Sequence, residues 1–107
     1  MPIVEYNKLV RNRIPFIIEQ AGKVAMTRPL KKGEFVEALC EKLTEEANEY
    51  LAEPTDEELA DILEVVMALI DVQGSTYEKV EMLRLRKKAA RGSFSDGVFL
   101  MSVQEPD

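Results

Sequence analysis

Apolar side chains recur along the middle of this chain with the spacing of an α-helix. From Glu34 to about Glu53 they fall every three or four positions, which predicts one long helix. This stripe consists of Phe35, Leu39, Leu43, Ala47 and Tyr50 or Leu51. A second long helix is predicted from Asp56 to about Val72, and its stretch from Ile62 to Ile70 is apolar almost all round. Because so short a chain offers little cover for such a helix, we expect a homodimer or a larger homo-oligomer.

Residues that favour helix ends flank these stretches. Pro15 suits the first turn of a short helix from Ile14 to about Ala21, and Gly22 suits its C-terminal cap. Pro54 ends the first long helix, and Thr55 is a favourable N-cap for the second. The two long helices are therefore predicted to form a tight helical hairpin.

A third long helix is predicted after Gly74. Ser75 or Thr76 is suited to cap its start. The cationic run from Arg84 to Arg91 complements the negative end of the helix dipole, and Gly92 follows as the C-terminal cap.

Two segments outside these helices carry weak strand signals. Residues Lys23–Leu30 alternate weakly, which fits a short strand or an extended link. Residues Phe94–Val103 contain β-prone stretches around an Asp-Gly pair, a signal for a short hairpin or strand. The whole pattern predicts a mainly all-α fold, an antiparallel helical bundle with short β or extended segments near both termini. We expect one domain over residues 1–107, with residues 104–107 as a frayed tail.

Composition narrows the range of functions. A formal net charge of −6 argues against a general nucleic-acid binder, and no apolar run reaches membrane-spanning length. Cys40 is the single cysteine, which fits a reduced, cytoplasmic setting. The chain has no histidine, so catalytic triads with histidine and zinc sites with imidazole ligands are excluded. Any hydrolysis would depend on carboxylates, metal and water.

Two pairs of acidic residues, each with a spacing of three, mirror one another about the turn at Pro54 and Thr55. The pairs are Glu46 with Glu49 and Glu58 with Asp61. This spacing places both members of a pair on one face of a helix. In an antiparallel hairpin, residues equally far from the turn lie at the same height, so all four carboxylates can converge. A bound cation would offset their repulsion, and oxygen ligands suit Mg²⁺ or Mn²⁺.

Two simpler interpretations compete with the metal site. Acidic runs on helices are usually solvated faces. In addition, Glu58 lies three residues after Thr55, so its carboxylate could accept the Thr55 N–H in a capping box.

Three blocks of the chain resemble one family. The residues E-E-x-x-E at Glu45–Glu49 and E-x-x-D at Glu58–Asp61 resemble the signature of all-α nucleoside triphosphate pyrophosphohydrolases. That superfamily includes MazG-like proteins, dimeric dUTPases and phosphoribosyl-ATP pyrophosphohydrolase. The opening Tyr6–Pro15 is similar to the Y-N-K-L-V-R-[DN]-[KR]-I-P start of a small MazG-like branch labelled phosphoribosyl-ATP pyrophosphohydrolase-like. Residues Lys87–Phe94 are similar to that branch's K-x-x-x-R-G-x-F ending.

Two features depart from the family pattern. The gap between the acidic motifs is shorter than in most of the superfamily. Asn12 stands where aspartate is the commoner residue of this branch.

The resemblance implies Mg²⁺-dependent hydrolysis of a nucleoside triphosphate between its α and β phosphates, with Mn²⁺ as a possible substitute. The implied metal ligands are Glu46, Glu49, Glu58 and Asp61. Glu45, Glu46 and Glu49 are the candidate catalytic carboxylates, and Glu45 is one turn from Glu49, where it could orient the attacking water or act as its base. The candidate phosphate-binding cations are Lys8, Arg11, Arg13, Lys88 and Arg91.

Three alternatives stay open. The substrate could be phosphoribosyl-ATP of histidine biosynthesis. The chain could also be a helical interaction module that has lost activity, or a cation buffer without catalysis.

Overall fold

Four α-helices form where the periodic apolar stretches and capping residues predict them, within residues 2–107, which are the residues that the computed structural model describes. The helices are α1 (Ile14–Gln20), α2 (Lys32–Ala52), α3 (Asp56–Val72) and α4 (Tyr77–Arg91). Described residues form no β-strand, so the prediction of an all-α fold is confirmed.

Local hydrogen bonds fix the helix ends. At the start of α3, the Thr55 hydroxyl accepts the Glu58 N–H at 3.3 Å, and at the start of α4 the Thr76 hydroxyl accepts the Lys79 N–H at 3.3 Å. After α4 the backbone enters the left-handed region at Gly92, with φ of +86°, which glycine adopts without a steric cost. At these three capped ends the predicted and observed helix ends agree within two residues.

Helices α2 and α3 pack against each other and provide the core. Only residues 53–55 separate them, so they run antiparallel. The buried apolar side chains of the described residues are Leu39 on α2 and Val65 and Ile70 on α3. This contact sets the height at which the acidic residues of the two helices face each other.

The strand signals in residues 23–30 and 94–103 give no strand within residues 2–107. Residues 23–30 run without regular secondary structure, and the Asp96-Gly97 pair forms a turn in which the Gly97 N–H donates to the Phe94 carbonyl at 3.2 Å. An alternating segment forms a strand only beside a second strand, and neither segment has one within the described residues.

The chain divides into two compact units. One ends at Gly74 and contains α1 to α3, and the other begins at Ser75 and contains α4. No residue of α4 is buried, and residues 104–107 are exposed without regular secondary structure. The single domain over residues 1–107 stays a prediction.

Among the helices of residues 2–107, none combines the length and the apolar character needed to cross a lipid bilayer.

Replacing Leu39 by alanine is expected to lower the free energy of unfolding by about 2–5 kcal/mol, because this side chain is 3% exposed and its loss leaves a cavity between α2 and α3. Urea denaturation followed by circular dichroism measures the change. The matched control is Leu51→Ala on the same helix, where the side chain is 76% exposed. We expect that variant to change stability by less than about 0.5 kcal/mol. Equal losses in both variants would contradict the assignment of the core.

Candidate metal centre

The two acidic pairs of α2 and α3 meet across the helical hairpin. Each of the four residues offers one carboxylate oxygen, and these oxygens all lie within 4.8 Å of one another. The convergence expected from the mirrored spacing is therefore present. We refer to Glu46, Glu49, Glu58 and Asp61 as the acidic quartet.

Glu46 is the buried member of the acidic quartet. The residue is 6% exposed, and its Oε2 atom has no hydrogen-bond partner within residues 2–107. Burial raises the pKa of the Glu46 carboxyl, and the neighbouring Glu49 carboxylate raises that pKa further, against a smaller opposing effect of Lys42. A buried carboxylate oxygen without a partner is costly, and a cation in the cluster would remove that cost.

Glu58 does not complete the capping box. Its backbone N–H donates to Thr55 Oγ1 at 3.3 Å, but among the described residues its carboxylate makes no return bond to the Thr55 N–H. Instead, Glu58 Oε2 is buried without a hydrogen-bond partner in that part of the chain, and the side chain belongs to the acidic quartet. The cap therefore leaves this carboxylate free to bind a cation.

Two cations from the amino-terminal segment reach the acidic helices. The Arg11 guanidinium donates from Nη2 to Asp61 Oδ1 at 2.7 Å. The Lys8 ammonium group donates to Glu45 Oε1 at 3.1 Å. Arg13 lies elsewhere, with its guanidinium 5.7 Å from the centre of the Phe16 ring.

Lys42 is a cation of this site that the sequence analysis missed. Its Nζ atom lies 3.3 Å from Glu45 Oε2 and 3.4 Å from Glu46 Oε1, and its side chain is only 18% exposed. The sequence did contain a signal for this contact, because Lys42 lies three residues before Glu45 and four before Glu46, and these spacings bring side chains together on a helix. Such Lys–Glu spacings are common, and only the burial of Lys42 distinguishes this pair.

Glu45 lies beside the acidic quartet between two ammonium groups. The hydrogen bond from Lys8 is the main reason why the pKa of the Glu45 carboxyl lies below its usual range, and Lys42 lowers that pKa further against the effect of burial. Glu45 is therefore ionised at neutral pH and able to accept hydrogen bonds.

Lys88 and Arg91 belong to the second unit, on the last turn of α4. Both are exposed there, where their charge is favourable at the helix C-terminus. Their role as phosphate ligands stays a prediction.

The donor set of the acidic quartet fits a small divalent cation. All four donors are oxygens, which Mg²⁺ and Mn²⁺ prefer. Opposite ligands around Mg²⁺ lie about 4.2 Å apart, because each Mg–O distance is close to 2.1 Å. The quartet oxygens lie within 4.8 Å of one another, so small side-chain adjustments bring them into range.

Comparisons with protein-family models, curated proteins and solved structures found no match for this chain.

In EDTA at neutral pH, Glu46→Gln is expected to raise the free energy of unfolding by about 1 kcal/mol, or Tm by roughly 4–8 °C. Because the pKa of Glu46 is raised in the folded state, its carboxyl destabilises the fold as pH rises from about 4.3, the ordinary value, through that raised pKa. As pH falls below about 4.3, the acid becomes protonated in both states, and the difference should shrink towards zero. Thermal melts between pH 3.5 and 8 measure this.

The matched control for this prediction is Glu37→Gln, an exposed glutamate on the same helix. It should leave Tm within about 1–2 °C of the wild type at every pH, as expected for an exposed surface position. A gain for Glu46→Gln that does not change with pH would show that ionisation of Glu46 is not its cause.

Proposed function

We propose that this protein is a Mg²⁺-dependent nucleoside triphosphate pyrophosphohydrolase. It would cleave the bond between the α and β phosphates of an NTP or dNTP, with a monophosphate and pyrophosphate as products. Mn²⁺ is a chemically reasonable substitute. The proposal joins the motif resemblance described above to the chemistry of the candidate metal centre.

The observation that carries the proposal is the convergence of the acidic quartet around buried, unpaired oxygens. A cluster of carboxylates alone is common on helices. Here Glu46 is 6% exposed, and the Oε2 atoms of Glu46 and Glu58 lack partners within residues 2–107. These features favour a bound cation over a solvated face.

In the proposed reaction, Mg²⁺ bound by the acidic quartet would screen phosphate charge and make water a stronger nucleophile. The ionised Glu45 accepts hydrogen bonds, so it is suited to orient the attacking water. Because the pKa of Glu45 is lowered, Glu45 is a weaker proton acceptor than a carboxylate whose pKa lies near neutral pH. Glu46 and Glu49 are the other two carboxylates proposed to act in the reaction.

Phosphate binding is assigned to cations beside the acidic residues. Lys8 and Arg11 are the nearest candidates, because both touch the carboxylates of α2 or α3. Arginine binds phosphate oxygens in a bidentate manner, and lysine binds them as a point charge. Arg13, Lys88 and Arg91 are proposed as phosphate ligands from the motif resemblance alone.

Incubation with Mg²⁺ and each common NTP and dNTP tests the proposal, provided that pyrophosphate and monophosphate are detected separately. Pyrophosphate release that stops with EDTA would support it. Release from phosphoribosyl-ATP alone would identify the histidine-pathway alternative. Stabilisation by Mg²⁺ without turnover of any of these substrates would favour a cation buffer, and no effect of Mg²⁺ would favour an inactive interaction module.

Replacing a quartet ligand should abolish pyrophosphate release. Glu49→Gln and Asp61→Asn remove a charged oxygen with little change in volume, and we expect each to lower kcat/KM by at least about 100-fold. Helical content by circular dichroism should be unchanged. Glu57→Gln on α3, an exposed glutamate outside the quartet, is the control and should keep wild-type kinetics. Retained turnover in both ligand variants would refute the site.

We also propose that the protein is a homodimer or a larger homo-oligomer. The exposed apolar side chains Leu59, Leu63 and Met67 recur every four residues on α3, which makes one stripe along the helix. Leu63 is 63% exposed, and only three apolar side chains are buried in the described residues. A second copy of α3 would cover this stripe and enlarge the core.

Light scattering at micromolar concentration is expected to report a dimer or a larger species. Leu63→Glu should shift that species to the monomer, because a charge in the apolar stripe opposes its burial. Met26→Glu, at a side chain that is 89% exposed outside the helices, is the control and should leave the assembly intact. A monomeric wild-type protein would contradict the proposal.

A further inference from the structure

The amino-terminal segment, residues 2–13, reaches the candidate metal centre through two charged side chains. It has no regular secondary structure, and Ile3, Val4 and Tyr6 are each at least 70% exposed. Leu9 is the one half-buried side chain of this segment. Its ion pairs are Arg11 with Asp61 and Lys8 with Glu45.

Arg11 is hydrogen-bonded to Asp61, which is a member of the acidic quartet. Its Nη2 atom is 2.7 Å from Asp61 Oδ1, and Asp61 contributes a carboxylate oxygen to the acidic quartet. A divalent cation held by the quartet would come close to this guanidinium, and two cations at such a distance repel each other. Cation binding and the Arg11–Asp61 pair therefore oppose each other.

Lys42 and Arg11 are the two cations that contact the acidic quartet, and they differ in how easily they can leave it. Lys42 projects from α2 and its side chain is 18% exposed, so the helix holds it beside Glu46. Arg11 projects from a segment without regular structure, and its side chain is 56% exposed. Exposed ion pairs of this kind contribute little to stability, so the Arg11–Asp61 pair exchanges at little cost.

We infer that Arg11 couples cation binding to phosphate binding, and this inference depends on the proposed function. In the protein alone, Arg11 neutralises Asp61. When a divalent cation binds to the quartet, Arg11 leaves Asp61, and its guanidinium then requires another anion close by. A phosphate group carried with the cation supplies that anion. The site therefore prefers a complex of a divalent cation with a di- or triphosphate over the free cation.

This arrangement meets the thermodynamic requirements of coupling. The two states are Arg11 on Asp61 and Arg11 on phosphate, and the cation and the phosphate both favour the second state. Each ligand must then raise the affinity for the other by the same factor. Arginine suits the role because its planar guanidinium forms paired hydrogen bonds with a carboxylate and equally with a phosphate.

Isothermal titration with Mg²⁺ alone, and with Mg²⁺ premixed with inorganic pyrophosphate, tests the inference on the full chain. Arg11→Ala should bind Mg²⁺ alone on the order of tenfold more tightly than the wild type, because its competitor for Asp61 is gone. Pyrophosphate should raise the Mg²⁺ affinity of this variant about tenfold less than it does in the wild type. The matched control is Arg28→Ala, which removes an exposed guanidinium paired with Glu34 rather than with the acidic quartet and should match the wild type.

The outcomes separate this inference from the proposed function. If Arg11→Ala binds Mg²⁺ no more tightly than the wild type, while Glu49→Gln abolishes binding, the metal site stands and the coupling role of Arg11 is refuted. If Arg28→Ala reproduces the effect of Arg11→Ala, general charge is the cause and the coupling role is refuted as well. If the wild type binds no Mg²⁺ with or without pyrophosphate, both proposals fail.

Discussion

Repulsion among the carboxylates of α2 and α3 is the constraint that organises the first unit. The acidic quartet brings four oxygens within 4.8 Å of one another, and burial of Glu46 removes water that would screen the charge of its own carboxylate. Packing of Leu39 against the apolar face of α3 holds the two helices together in spite of this repulsion. The apolar core therefore stabilises the α2–α3 hairpin, and the acidic quartet destabilises it.

Three cations reduce this repulsion, each from a different position. Lys42 is part of α2 and faces Glu45 and Glu46, whereas Lys8 and Arg11 come from outside the helices. The helix fixes the position of the Lys42 charge, whereas Lys8 and Arg11 belong to a segment without regular structure and can change position more easily. The proposed metal site would need both kinds, because permanent neutralisation of every carboxylate would leave no ligand for a metal.

Local patterns in the sequence were sufficient to predict the helices and the four residues of the acidic quartet. Thr55, Thr76 and Gly92 mark helix ends because capping depends on residues within one turn. The mirrored spacing about Pro54 was enough to predict that the four carboxylates meet. Local patterns could not decide whether residues 23–30 and 94–103 form strands, since a strand depends on a partner that is distant in sequence.

The sequence by itself determined the all-α class, the helical hairpin and the four acidic residues that converge, because each follows from hydrogen bonds and side-chain spacings over a few residues. Only the tertiary structure decided which carboxylate oxygens lose water, and it singled out Lys42 by its burial. It also decided that Arg11 reaches Asp61 across 50 positions of sequence and that Lys8 reaches Glu45 across 37. Such contacts depend on where the chain returns in space, and that is set by the packing of α2 on α3 and the course of the segment before them.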